Sequence, residues 1–500
     1  MTKRPAEESG GQDAPLKAGD RPIQTGNATD AGPFEDEFDD EFESDDEILE
    51  AGVDGRPDEE REAEEKRDAM DMDQKTFIPG RDKLAAGESL SPDTSAYELL
   101  HNFTTTWPCL SFDIVPDQLG TNRKAYPATL YAVAGTQAES KKANQNELMV
   151  MKLSGLSRMD RKRIDGESDN DDDDDDDNDE ENADPILETK SIPLPSTTNR
   201  IRARQYPQQN ASRLPITQTA TMLENSNVLI HDVTPHLTSF DSPGTIITPQ
   251  QSNPIATLKM HRTEGYAIDW SPHVPQGKLL TGDNDGKMFI TTCTDGGKWT
   301  PDTRPFLGHQ SSVEDIQWSP SERNVFASAS SDGMVKVWDV RSKTHKPAIS
   351  VQVSETDVNV ISWSRQTTHL LATGADDGRW AVWDLRQWKG SSDKASTSQP
   401  SPVASFSFHK EQITSIEWHP TDDSIMAVAA GDNTMTLWDL SVELDDEESK
   451  DTAGIQDVPP QLLFLHYMEM IKECHWHPQI PGCVVGTGGS GFGILKTISV

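Results

Sequence analysis

One twelve-residue frame recurs along the second half of this chain and constrains its fold more than any other feature. "HRTEGYAIDWSP" (261–272), "HQSSVEDIQWSP" (309–320) and "HKEQITSIEWHP" (409–420) each place a His, a Trp nine positions later and a Pro two further on. "SETDVNVISWSR" (354–365) keeps the frame without the His, and "HYMEMIKECHWHP" (466–478) keeps it with one insertion. Trp270, Trp318, Trp363, Trp418 and Trp476 therefore recur at intervals of 45–58 residues. Each frame is followed by a second strand pattern and a turn, and three of these close on Trp-Asp, at 338–339, 383–384 and 438–439. A repeat near 45 residues with strand patterning and a closing Trp-Asp is a propeller-blade signature. A single four-stranded sheet cannot cover both its faces, and a closed ring of sheets leaves only short, protected edges.

Five blades are visible this way, and two weaker ones precede them. "PATLYAVAG" and "ELMVMKLSG" supply strands of one, and "LPITQTATMLENSNVLIHDV" (214–233) supplies another, with His231-Asp232 where Trp-Asp would stand. The expected fold is all-β, a seven-bladed WD repeat propeller over residues 79–500. The C-terminus ends without a Trp-Asp strand, so the "PCLSFDIV" strand is predicted to join the last blade and lock the ring. Ahead of it, residues 92–103 open with Ser/Asp capping chemistry followed by Tyr97, Leu99 and Leu100, a pattern that predicts an N-terminal α-helix.

Charge divides the chain. The formal net charge is −40. Residues 1–75 carry a net −17 and residues 165–188 a net −15, leaving about −8 for everything else. The first block has too few aliphatic side chains to offset ordering entropy, which predicts a disordered acidic tail over 1–78. Within it Phe34, Phe38 and Phe42 are spaced four apart, as on one helical face. The second block contains Asp171, Asp172, Asp173, Asp174, Asp175, Asp176 and Asp177 in succession, then Asp179, Glu180 and Glu181. It reads as a disordered insert over 156–192, extruded between the first two blades. Loop-closure entropy grows only logarithmically with length, so such an insert costs the ring little. Further extruded loops are expected at 386–402 and 441–460. A negative field of this size repels phosphate backbones and attracts cationic proteins. Direct nucleic-acid binding, sequence-specific binding included, is therefore disfavoured, and a highly basic protein partner is favoured.

Four scattered cysteines with no CxxC point to a reducing compartment. The N-terminus lacks an apolar signal core, and no apolar run reaches the roughly 18 residues a membrane span needs. Lys3-Arg4 and "RMDRKR" (158–163) resemble nuclear import signals.

His309, Ser328 (or Ser330) and Asp332 are the residue types of a hydrolytic triad, yet with Trp338 they make up the hydrogen-bonded tetrad of a propeller blade. Imperfect copies occur elsewhere: Thr373, Asp377 and Trp383 behind Ser354, and His261 with Thr281 and Asp285. A nucleophile would occur once, so the set is read as structural and no enzyme is expected. "CHWHPQIPGC" (474–483) invites a zinc reading, but Cys474 occupies the frame position of Ile316 and Ile416 and is read as a core residue. The aspartate run lacks the alternating ligands and central glycine of a calcium loop. No cofactor or metal is expected. Glu264, Asp357, Glu411 and Glu469 stand just before the first strand of their blades, which predicts an acidic rim. Ser44 and Ser168 each precede an acidic residue by three positions, a pattern that acidophilic kinases favour.

"DTSAYELLHNFTTTWPCLSFDIVPD", "DVPPQLLFLH" followed by "IKECHWHPQIPG", and the terminal "GFGILKTISV" together resemble the glutamate-rich WD repeat proteins, which include a yeast ribosome assembly factor. The resemblance covers roughly 75–500. The wider group is similar to the retinoblastoma-binding histone chaperones, in which an N-terminal helix and a Pro-Pro loop form a groove for a histone helix. Carried over, Tyr97, Leu99 and Leu100 would form one wall of that groove. Asp445, Asp446, Glu447, Glu448, Asp457, Pro459, Pro460 and Leu462 would form the other. The resemblance implies a monomeric carrier for the large-subunit ribosomal protein numbered three, acting before that protein joins the pre-ribosomal particle in the nucleolus. Two rivals stand beside this reading. One is a chromatin factor binding core histones. The other is a substrate receptor of a cullin-type ubiquitin ligase, since "WDVR" and "WDLR", ending at Arg341 and Arg386, match the adaptor-docking box of such propellers.

Overall fold

The computed structural model describes residues 92–159, 184–207, 215–242, 244–389, 400–442 and 458–500. Among them, strands assemble into seven separate sheets, each an antiparallel meander. The innermost strands are Cys109–Val115, Thr198–Tyr206, Ala267–Trp270, Val313–Trp318, Val358–Trp363, Ile413–Trp418 and Glu473–Trp476 for blades 1 to 7. The seven-bladed propeller is thus present, with the two sequence-weak blades first in the ring.

The repeated Trp has a mechanical reason to recur. Trp270 Nε1 donates to the Arg202 carbonyl at 3.0 Å, Trp418 Nε1 to Ser362 at 3.0 Å, and Trp476 Nε1 to Glu417 at 3.2 Å. Each ring therefore stitches its blade to the preceding one while filling the space between the sheets. The second-to-third strand turns use Asp-Gly, with Gly286, Gly333 and Gly378 at positive φ. At Gly333 a Cβ would lie 2.5 Å from the Ser354 carbonyl oxygen, so the left-handed turn there also needs the missing side chain.

Three expectations are corrected. Residues 92–103 do not form a helix. Thr94–Ala96 make a single 3-10 turn capped by Asp93, and Tyr97–Thr104 is a strand. That strand pairs antiparallel with Gly491–Thr497, from Tyr97 opposite Thr497 to Thr104 opposite Gly491. It supplies the missing fourth strand of blade 7 and closes the ring. The "PCLSFDIV" segment instead begins blade 1 as its innermost strand. The physical reason is edge satisfaction: the last blade has three strands of its own, and the nearest upstream strand pairs its open edge. The third correction concerns the acidic insert. Its flanking strands, Glu147–Leu156 and Ile186–Pro193, are paired neighbours within blade 1, so it joins the third and fourth strands of that blade rather than two blades.

Candidate functional site

An acidic rim and a buried ionic seam

Neighbouring innermost strands run parallel. Ser111 Oγ and Asp113 Oδ2 accept from the Ile201 and Ala203 amides (3.1 and 2.7 Å). Asp315 and Gln317 accept from Ile361 and Trp363, and Ser415 and Glu417 from Cys474 and Trp476. With all inner strands pointing one way, every fourth-to-first and second-to-third connection lies on one face of the ring, and every first-to-second and third-to-fourth connection lies on the other.

This seam carries buried charge. Glu473, 1% exposed, accepts from Phe112 N (2.9 Å), Arg200 Nη1 (3.0 Å) and Arg202 Nη2 (2.7 Å). It thereby ties blade 7 to blades 1 and 2. Burial pushes its carboxyl up, but Arg202, His475 and Arg200 overcome this and hold it well below the usual range. Burial works against the His475 imidazolium, yet Glu417, 2.9 Å away, and Glu473 raise it to about 10. Asp269 has no such cation in contact, and burial lifts it to about 7. Sequence reading missed this seam because its members come from different repeats. The available signal was an ionisable or polar residue one or three positions before each frame Trp.

The rim acids Glu264, Asp357, Glu411 and Glu469 all lie on fourth-to-first connections, hence on one face, and the last three are exposed. Glu264 accepts from Asn199 Nδ2 at 3.0 Å. Glu314, which sequence reading passed over, joins them. Burial raises its carboxyl, and the charge of Asp357 raises it further. Tyr266 feels Glu264, Glu314 and Glu224 together. Glu264, Glu314 and Asp357 thus gather around the entrances to blades 3 to 5.

The strand ends that flank the acidic insert, Leu156 and Ile186, open on the opposite face, as third-to-fourth connections do, and so do those that flank the 386–402 and 441–460 segments. Asp171 to Asp177, Asp179, Glu180, Glu181, Ser44, Ser168, Phe34, Phe38, Phe42, Asp445, Asp446, Glu447, Glu448 and Asp457 lie outside the described residues.

The blade tetrad

In blade 4, His309 Nδ1 lies 3.0 Å from Asp332 Oδ2, His309 Nε2 lies 2.6 Å from Ser328 Oγ, and Trp338 Nε1 donates to the same Oγ at 2.8 Å. Ser328 is fully buried and already saturated, so no substrate reaches it. Asp332 is partly buried, which raises it, but His309, the Gln310 amide and Lys336 pull it down to about 2. Blade 3 uses Asp283, 2.8 Å from His261, in place of the expected Asp285, which pairs with Lys287 instead. In blade 6 the hydroxyl moves to the third strand: Thr436 Oγ1 receives Trp438 Nε1 at 2.7 Å and faces His409. Cys474 is buried on the inner strand, and among the described residues no cluster of three or more His, Cys, Asp or Glu side chains is arranged to hold a metal.

The groove residues and the arginine box

The groove drawn from resemblance is not formed by its first wall. Tyr97 and Leu99 are 2% and 1% exposed, facing the core. Tyr97 Oη meets His466 Nδ1 at 2.8 Å and its ring packs edge-on against Phe464. A strand alternates its side chains, so a residue pair i, i+2 points inward together. Leu100 is half-buried, as are Pro459, Pro460 and Leu462 at the start of blade 6's outer strand. Arg341 and Arg386 are exposed, and each grips the Asp two residues earlier, Asp339 at 2.6 Å and Asp384 at 2.7 Å.

Similarity to known proteins

The family described as "Histone-binding protein RBBP4", which also takes in a component of the CAF1 complex, matches residues 87–157, and the WD domain, G-beta repeat, matches 301–339, 346–384 and 400–439. The chain is 47% identical over 504 residues to "Ribosome assembly protein rrb1" of Schizosaccharomyces pombe, covering 100% of both chains. It is 44% identical to "Protein HEAT STRESS TOLERANT DWD 1" of Arabidopsis thaliana, over 85% of this chain and 92% of that one. It is 41% identical to "Glutamate-rich WD repeat-containing protein 1" of Dictyostelium discoideum, over 85% of each. With a propeller ring, an acidic insert in its first blade and full-length similarity at this level, the chain belongs to the family of the glutamate-rich WD repeat proteins and the ribosome assembly protein rrb1.

Proposed function

We propose that this protein is a non-enzymatic assembly factor in ribosome biogenesis. It binds a basic large-subunit ribosomal protein, the one numbered three, shields it, and hands it to the pre-ribosomal particle in the nucleolus. The observation that carries the reading is charge placement. Of the net −40, −31 resides in residues 1–75 and 165–185, outside the blade strands, and a further set of carboxylates gathers on one face of the ring. A ribosomal protein is a polycation whose extensions are built to meet RNA. Anionic segments occupy those lysines and arginines, keep the client soluble, and yield to rRNA, whose charge density is higher. The name of the fission yeast relative supports the same process.

The test is deletion of residues 167–182. Client affinity is expected to fall and its salt dependence to flatten, with the melting temperature near unchanged. Unaltered client affinity, or a large loss of thermal stability, would refute the reading.

A second reading, core histones as clients, draws on the histone-binding family match over 87–157. The burial of Tyr97 and Leu99 weighs against a groove wall at those positions. Which basic protein stays bound after nuclease treatment at moderate salt decides between them. For the ubiquitin-ligase reading, Arg341→Ala with Arg386→Ala would abolish adaptor capture and spare the basic client.

A further inference from the structure

A chain of net −40 carries one surface of the opposite sign. In blades 3 to 5, the first-to-second and third-to-fourth connections (271–278, 294–298, 319–324, 339–348, 364–369 and 384–389), together with the break at 302–305 in the outer strand of blade 3, hold ten basic and five acidic side chains. The connections of the same blades on the other face (259–266, 283–286, 308–312, 331–333, 353–357 and 376–379) hold three basic and eight acidic. The excess is not neutralised locally. Arg341 and Arg386 are paired with Asp339 and Asp384, but Lys298, Arg304, Arg323, Lys343, Lys346 and Arg365 are exposed, and none has a carboxylate partner among the described residues.

Two local arrangements show cations held together rather than dispersed. Arg304 Nη1 donates to the Lys343 carbonyl (3.4 Å) and its Nη2 lies 3.4 Å from His345 Nε2. His345, at φ 50, stacks flat on Phe306 with centroids 4.1 Å apart, which fixes the loop carrying Lys343 and Lys346 against blade 3. Nearby, Lys278 Nζ sits 4.6 Å from the Trp318 ring centroid, and both burial and the neighbouring Arg323 lower its proton affinity. Like charges left side by side in this way are stabilised by an incoming polyanion.

We propose that this face of blades 3 to 5 binds the phosphate backbone of RNA without reading its sequence. RNA fits better than an acidic protein. The cations are strung along several successive connections, as a linear polyanion requires, whereas the exposed large apolar side chains beside them, Leu307 and Val403, are single residues on different blades rather than a cluster that could anchor a protein partner. The affinity then comes from counterion release. This face also carries the acidic connection of blade 1 and the 441–460 connection of blade 6, so the RNA would lie along blades 3 to 5, away from blade 1, with the rim carboxylates on the other face, whatever the identity of the basic client.

The test uses the full chain and a fluorescent single-stranded RNA of about 30 nucleotides, followed by anisotropy across a salt series. The variant Arg304→Ala, Lys343→Ala, Lys346→Ala, Arg365→Ala removes four exposed cations and leaves the packed core untouched. Its RNA affinity is expected to drop about ten-fold or more, and its log–log salt slope to shrink by about 3, at about 0.7 for each phosphate no longer neutralised. Glu264→Gln with Glu411→Gln, on the other face, should retain or tighten RNA binding. Polylysine binding, which reads the anionic segments, should be equal in parent and quadruple variant, so a failure here is separable from failure of the client reading. An RNA affinity and slope unchanged in the quadruple variant would overturn the proposal, as would absence of RNA binding by the parent at low salt. Loss of polyglutamate binding with RNA binding intact would also overturn it, assigning the face to an acidic protein.

Discussion

Glu473 is the residue whose removal tests the ring most directly. Its two oxygens receive two guanidinium groups from blade 2 and the Phe112 amide of blade 1, all while 1% exposed. Glu473→Gln keeps a carbonyl oxygen for the Phe112 amide but withdraws the charge facing Arg200 and Arg202. Breaking a buried ion pair from one side costs about 3–5 kcal/mol, because the remaining charge is stranded. Asp113 raises the Arg202 proton affinity along with Glu473 and shares the compensation, so the lower figure applies, about 3 kcal/mol. For a cooperative unit of this size that corresponds to a drop of about 4 °C in Tm. The pH dependence carries the same signature. A carboxyl held below its unfolded value contributes stability that is complete above the unfolded pKa of about 4.3 and is lost as pH falls toward its folded value. His475, raised to about 10, contributes stability that is full below about 6.5 and is lost as pH rises through 10. Thermal melts of parent and Glu473→Gln from about pH 2 to 11 measure both. The acid-side loss should be smaller in the variant, and adding Arg202→Met should recover part of the deficit through non-additivity. A variant that melts with the parent at every pH would show that the seam contributes nothing to closure.

Two further outcomes follow from the same structure. A chain beginning at Thr105 lacks the strand that closes blade 7 and its buried Tyr97, Leu99 and Phe103; at about 2 kcal/mol per side chain it should lose about 6 kcal/mol and aggregate, relative to one beginning at Pro92. Equal solubility and Tm for the two would contradict closure by this strand. Asp269→Asn keeps an acceptor for the Trp318 amide, 2.7 Å away, and removes a buried carboxylate whose ionisation cost grows as pH rises from about 3.9 to about 7. The variant should therefore be more stable than the parent above about pH 7 and equal to it near pH 4, and a destabilised variant in urea titration at about pH 8 would refute that.

Much of the fold was legible because the propeller repeats its physics: every frame Trp is buried, three of the five donate to the preceding blade in the same way, and each Asp-Gly turn needs the same left-handed residue. The tetrad of His309, Ser328, Asp332 and Trp338 was legible for the same reason. Where a repeat was imperfect, reading failed locally. Asp283 stands where Asp285 was expected, and Thr436 took over a hydroxyl role from the second strand.

The sequence alone determined that the chain closes into a ring of sheets and that its negative charge sits mainly outside that ring, since both follow from period and composition. Tertiary structure decided the rest. Tyr97, Leu99 and Leu100 satisfy a helical spacing and a strand alternation equally well, and only the open edge of Gly491–Thr497, almost four hundred residues away, selects the strand. Likewise, no local pattern tells which face a charged loop occupies. That depends on the shared direction of seven inner strands, and it separates the carboxylates at the entrances to blades 3 to 5 from the cations beneath them.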